Sequence, residues 1–162
     1  MRMKVMQFIA IITTALYLVP AGAHLFELPN KVALTPTEYL TVQKIYAGWS
    51  LFGIVVGMAL LATLAHTLLV RTDRTSFALS FGALVALAAT QGVFWAFTYP
   101  VNAATGFWTV PPNSFEMTRW QWEYSHAAGA LLTFVALVAI VLAALLHNPI
   151  AETDARCTVV TQ

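Results

Sequence analysis

Four runs of apolar residues, each long enough to cross a bilayer, fix most of what this chain can become. A spanning helix needs about 20 mainly apolar residues, and 5–23, 45–70, 77–99 and 122–146 all come close to or exceed that length. Lipid offers no partner to a backbone N–H or C=O, so such runs must close their hydrogen bonds internally as helices. The fold class expected is all-α: an integral membrane four-helix bundle over 1–149, with helices at about 5–27, 37–70, 76–99 and 117–147. A short polar tail, 150–162, follows. Only 9% of the residues are charged, against about 25% in soluble domains, which agrees with a multi-pass protein of the inner (plasma) membrane.

The eight basic residues are scattered, which argues against nucleic acid as a partner. Arg2, Lys4, Arg71, Arg74 and Arg156 fall at the termini and in the short turn between the second and third runs; Lys31, Lys44 and Arg119 fall in the two longer loops. The excess predicts cytoplasmic termini and two outer loops. The single cysteine, Cys157, lies in the tail, so no intrachain disulfide can form. The first 23 residues also fit a secretory signal ending in Ala21-Gly22-Ala23, whose removal would leave His24 as a copper-chelating N-terminus. Retention is expected, because the apolar run is long for a signal and its loss would leave three helices.

Polar groups gather toward one end of the predicted bundle. On the fourth helix Arg119, Glu123 and His126 fall at i, i+4 and i+7, hence on one face, with Trp120 and Trp122 at headgroup level. The first helix carries Thr13, Tyr17, Pro20, His24 and Glu27 as a polar stripe, and Pro20 predicts a kink that widens the space beside His24. The third adds Gln91, Trp95, Thr98 and Asn102. Between the first two helices, Thr35-Pro36-Thr37-Glu38 is a helix-start signal, and Gly53 and Gly57 leave room for a neighbouring helix or a ligand. His66, near the inner end and roughly 30 Å of rise from Tyr46, reads as a solvated or capping residue, and His147 as a helix-end residue. Trp108 reads as an interfacial anchor.

Ionisable groups at membrane depth mark functional sites by default. Four chemistries are open to His24, Glu27, Glu123 and His126: a structural network with Arg119 neutralising Glu123, Lys31 pairing with Glu27 and each histidine bonded to a carboxylate, a metal site with all four as ligands, haem held by histidine, or metal-free acid–base use. Iron or copper is the expected metal, ahead of haem. The catalytic candidates are His24, His126, Glu123 and Asn102; the substrate-binding candidates are Tyr17, Gln91, Trp95, Arg119 and Trp122.

The strings Ala23-His24-Leu25-Phe26-Glu27-Leu28-Pro29, Glu38-Tyr39-Leu40-Thr41-Val42-Gln43-Lys44-Ile45-Tyr46, Tyr99-Pro100-Val101-Asn102 and Trp122-Glu123-Tyr124-Ser125-His126-Ala127-Ala128 resemble the anthrone-oxygenase-like family of small four-helix membrane proteins. The resemblance runs from the first helix to the fourth. It implies a four-helix membrane fold and, for some relatives, oxygenation of a polyphenolic anthrone to a quinone; His24, Asn102 and His126 are the polar positions it covers.

The leading expectation is a membrane oxidoreductase or oxygenase acting on a small hydrophobic or aromatic molecule. The rival is a non-enzymatic module that binds a lipid, quinone or small solute, or serves as an accessory subunit of a membrane complex. A transporter is a third reading and requires a homo-oligomer, since four helices enclose little room for alternating access.

Overall fold

The computed structural model describes residues 2–147, so the expected tail and Cys157 lie outside the described residues. The chain folds as an all-α four-helix bundle. Its elements are α1 (Arg2–Lys31), α2 (Pro36–Gln43), α3 (Phe52–Leu69), α4 (Arg74–Val93), α5 (Tyr99–Ala104) and α6 (Phe115–Leu146). No strand occurs among the described residues. Four helical stretches are long and apolar enough to span a bilayer: Arg2–Lys31, Trp49–Leu69, Arg74–Ala104 and Phe115–Leu146.

Small residues set the helix spacing. The core holds Ala10, Ala59, Ala62, Ala83, Ala86, Leu87, Ala136 and Ile140; with alanine at the seams the backbones approach closely, which is how helices associate where lipid removes the hydrophobic drive. Large apolar side chains such as Phe8, Val19, Leu61, Phe81 and Leu145 point outward. Gly53 and Gly57 border open space, since an added Cβ on either meets nothing within 4 Å.

Three departures from regular helix shape the end that carries the polar groups. First, α1 continues past Pro20 and Pro29 to Lys31, with Val32 N–H still donating to Leu28 O at 3.1 Å, so the expected end near residue 27 is corrected. Second, the helix expected over 37–70 is broken. Thr35 caps α2 in a full capping box with Glu38, as the sequence signal predicts, but Lys44–Tyr46 and Trp49–Leu51 are separate 3-10 turns joined through Gly48 at φ 85. A left-handed residue cannot continue a helix, and glycine adopts it without a Cβ clash. Third, the helix after Val93 widens into a π turn at Phe94–Thr98 and resumes as α5 with Pro100 near its start. Proline lacks the N–H that would complete the regular ladder; Phe97 O in this turn accepts from Gln121 Nε2 at 3.0 Å. Thr98 Oγ1 and Ser125 Oγ, 2.7 Å apart, tie the same turn to α6.

The loop after α5 turns on Gly106, Phe107 and Trp108, all with positive φ (54, 57 and 63). Consecutive left-handed residues are costly outside glycine. The turn is held by Trp108, whose N–H donates to Thr105 Oγ1 at 3.0 Å and whose ring is buried against Tyr39, Phe115 and Trp122. Trp108 is therefore a core residue and not the interfacial anchor expected.

At the opposite end, Asp73 caps α4 through Thr75 N–H and Ser76 N–H. His147 Nδ1 lies 3.1 Å from its carboxylate. His66 is fully buried with Nδ1 3.0 Å from Ser80 Oγ, which corrects its reading as a solvated residue.

Gly106→Ala is expected to lower the thermal midpoint by several degrees, because the substitution combines φ 54 with a Cβ only 2.9 Å from Thr109 Oγ1. Gly82→Ala, inside α4 with open space around it, is expected to leave the midpoint equal or higher. Parallel melts followed by circular dichroism test the pair.

Candidate functional site

The last two turns of α1 and the first three of α6 lie side by side, and the Tyr39 and Tyr46 side chains reach both from the segment between α1 and α3. His24, Glu27 and Lys31 share one face of α1 at i, i+3 and i+7; on α6, Trp122 and Glu123 each lie one turn before His126, at i−4 and i−3. These two faces meet at an imidazole pair, with the ring centres of His24 and His126 4.2 Å apart.

Aromatic rings enclose that pair. The His24 ring centre lies 4.6 Å from Tyr46, 5.1 Å from Trp122 and 5.5 Å from Trp49, and His126 packs on Trp122 at 4.0 Å. His126 Nδ1 is 2.9 Å from Trp122 O. A carbonyl only accepts, so Nδ1 carries the hydrogen and Nε2 of the neutral ring holds the lone pair. His24 Nδ1 is buried without a hydrogen-bond partner.

Next to the imidazoles runs a charged network. Lys31 Nζ lies 2.8 Å from Glu123 Oε1, with both side chains almost wholly buried. Tyr39 O–H donates to the same oxygen at 2.8 Å. Lys31 Nζ donates to Tyr46 Oη at 3.1 Å, and Tyr46 O–H in turn donates to Glu27 Oε2. The ammonium also sits 4.5 Å from the Trp122 ring centre and 4.7 Å from that of Tyr46, within cation–π range. Burial pushes the phenols of Tyr39 and Tyr46 well above their ordinary range, with the carboxylates of Glu123 and Glu27 adding to the shift; both therefore act as donors. Glu123 Oε2 is buried and has no hydrogen-bond partner.

The residues singled out in the sequence divide into three groups. His24, Glu27, Trp122, Glu123 and His126 come together as expected from their helical faces. Asn102 and Arg119 lie one step away and do other work than expected. Asn102 Oδ1 accepts from Trp122 Nε1 at 2.8 Å and so orients the indole. Arg119 does not neutralise Glu123: its guanidinium donates to Leu34 O at 2.7 Å and pairs with Glu116, while Lys31 takes the expected role. Tyr17, Gln91 and Trp95 form the third group. Tyr17 O–H and Gln91 Nε2 both donate to Thr90 Oγ1 at 3.1 Å, an α1–α4 contact apart from the imidazoles. Trp95 is 59% exposed and packs on Phe94 and Tyr99, facing lipid.

The expected four-ligand metal set is not assembled. Glu27 is turned to Tyr46, and Glu123 Oε1 is taken by Lys31 and Tyr39. Among the described residues no group of three or more His, Cys, Asp or Glu side chains is arranged to hold a metal ion. Nor do His24 and His126, in ring contact, leave room for a porphyrin between them.

Tyr39, Tyr46 and Trp49 are the site residues that sequence reasoning missed, and Lys31 was expected only as a partner of Glu27, not of Glu123. Lys31 follows Glu27 by one helical turn, a usable signal had the helix been carried through Pro29. Trp49 had none, because a 3-10 turn after a left-handed glycine has no periodicity to read.

Removing one member of a buried ion pair strands the other charge at a cost of about 3–5 kcal/mol, whereas replacing both is far milder. Lys31→Met and Glu123→Gln are each expected to cost stability on that scale, and the double variant to recover at least half of the loss. A double-mutant cycle of denaturation in lipid or mild detergent measures it. No family model, curated protein or solved structure matches the chain, so its chemistry is argued from these residues.

Proposed function

We propose that the protein is an oxidoreductase of the oxygenase type, embedded in the plasma membrane with both termini cytoplasmic, that oxidises a small aromatic molecule taken from the lipid. The observation that carries this reading is the imidazole pair with a fixed tautomer: Trp122 O holds His126 Nδ1–H, leaving Nε2 as a base, and the buried Lys31 ammonium lies over the same Trp122 ring. Aromatic walls at Tyr46, Trp49 and Trp122 suit a flat hydrophobic ligand. The resemblance to anthrone-oxygenase-like proteins supports a phenolic ketone with an acidic methylene as substrate and dioxygen as oxidant.

The reaction balances without a metal. His126 Nε2 takes one proton from the methylene, and the electron pair left behind delocalises into the ring system as a phenolate-like anion. Lys31, held by Glu123 and Tyr46, stabilises that negative charge. The anion reduces dioxygen by forming a C–O bond, and the resulting hydroperoxide anion takes back the proton from His126. Loss of water, using the second methylene hydrogen, leaves a carbonyl: one CH2 and one O2 become one C=O and one H2O. His24 packs on His126 and holds the base in place.

With anthrone as substrate, the protein in lipid nanodiscs is expected to consume one dioxygen per quinone formed and to place one oxygen atom from labelled dioxygen in the product. His126→Ala is expected to lower turnover by about 100-fold or more, the usual contribution of a positioned base, and Lys31→Met by at least about tenfold. Two results count against the proposal. Anthrone or quinone binding without oxygen uptake favours a non-enzymatic binding module. Stoichiometric iron or copper that is lost in His24→Ala and His126→Ala favours metal chemistry.

A further inference from the structure

The His24 ring is closed off as folded. Four rings stand within 5.5 Å of the His24 ring centre, and they are Tyr46, Trp49, Trp122 and His126. A flat aromatic molecule can reach the His24 ring, which is buried, only if one of these rings moves. Trp122 and His126 belong to the 32-residue α6, and Trp122 is pinned by Asn102. Tyr46 and Trp49 belong instead to two three-residue 3-10 turns that meet at Ala47 and Gly48.

That segment has the construction of a hinged flap. Gly48 stands at φ 85 between the turns, and an ideal Cβ there meets no atom within 4 Å, so the neighbourhood does not clamp it. Its outer face is apolar and exposed, with Ile45 58% and Leu51 72% accessible. Its inner face is fastened mainly by one group: the Tyr46 hydroxyl, which accepts from Lys31 and donates to Glu27. Tyr39, one element earlier, is anchored separately on Glu123, which fixes where the flap begins.

We propose that Lys44–Leu51 is the gate of this site: it bends outward with Gly48 as its flexible joint, releases the Tyr46 hydroxyl from Lys31 and Glu27, and moves the Tyr46 ring aside so that a flat aromatic ligand reaches His24 from the lipid. The inference rests on reading the imidazole pair as the reactive site, but it concerns access alone. Opening also frees Lys31 from one of its two polar partners, so entry of the ligand and exposure of the ammonium occur in one movement.

The test reads access and not turnover, so it stands or falls apart from the oxygenase proposal. The full chain in lipid nanodiscs is treated with diethylpyrocarbonate, and carbethoxylation of each histidine is followed by peptide mass spectrometry, with hydrogen exchange of the 44–51 amides in parallel. Tyr46→Phe keeps the ring and removes both fastening bonds. Gly48→Ala disfavours the closed turn without a clash. Tyr46→Phe is expected to raise labelling of His24, and exchange across 44–51, by roughly fivefold or more, as loss of hydrogen bonds to charged groups implies, and Gly48→Ala to raise both in the same direction. His66, buried at the far end, is expected to keep its wild-type rate. Unchanged labelling of His24 in both variants overturns the gate. An equal rise at His66 also overturns it, because the whole bundle has then loosened.

Discussion

The buried contact between Lys31 and Glu123 is the interaction on which this end of the bundle depends. Two opposite charges with almost no solvent exposure attract strongly where water is scarce, yet each is expensive to bury alone. Their meeting therefore fixes the height of α1 against α6. Everything else at the site is hung from that height. Tyr39 reaches the same carboxylate oxygen, Tyr46 bridges Lys31 to Glu27, and Trp122 lies under the ammonium while its carbonyl orients His126. A shift of one helical residue along α6 would part the ion pair and separate the two imidazoles together.

Much of the fold was legible because lipid leaves few options for long apolar runs. Lengths and polar stripes were enough to place the helices and to put His24, Glu27, Glu123 and His126 on helix faces that meet. Partners within the site were not legible, and the reason is physical. Spacing along one helix shows which groups share a face, so Arg119 stood as the natural counter-charge to Glu123. The actual counter-charge comes from a different helix, past a proline that normally ends one in water. In a membrane bundle Pro29 is tolerated, and α1 gains the extra turn that carries Lys31.

The second thing hidden from the sequence was the break between α2 and α3. Tyr46 and Gly53 continue a helical spacing on paper, but Gly48 takes a left-handed conformation and turns the chain. Without that turn Tyr46 and Trp49 could not both face His24. The loop at Gly106, Phe107 and Trp108 shows the same principle on the other side, where a costly backbone run is held by burying Trp108. Both irregular segments bring aromatic rings onto the site, and neither can be inferred from hydropathy.

The two halves of the ion pair belong to the first and the last spanning helices, which has a consequence for how the protein is made. During synthesis Lys31 enters the membrane environment long before Glu123 exists, and three helices must be in place before its partner arrives. In that interval Glu27, one turn earlier on the same face of α1, is the carboxylate within reach of the ammonium. Closure of the Lys31–Glu123 contact therefore waits for α6. A version truncated before α6 would leave Lys31 with Glu27 as its remaining carboxylate, and α1 without the charge that sets its height.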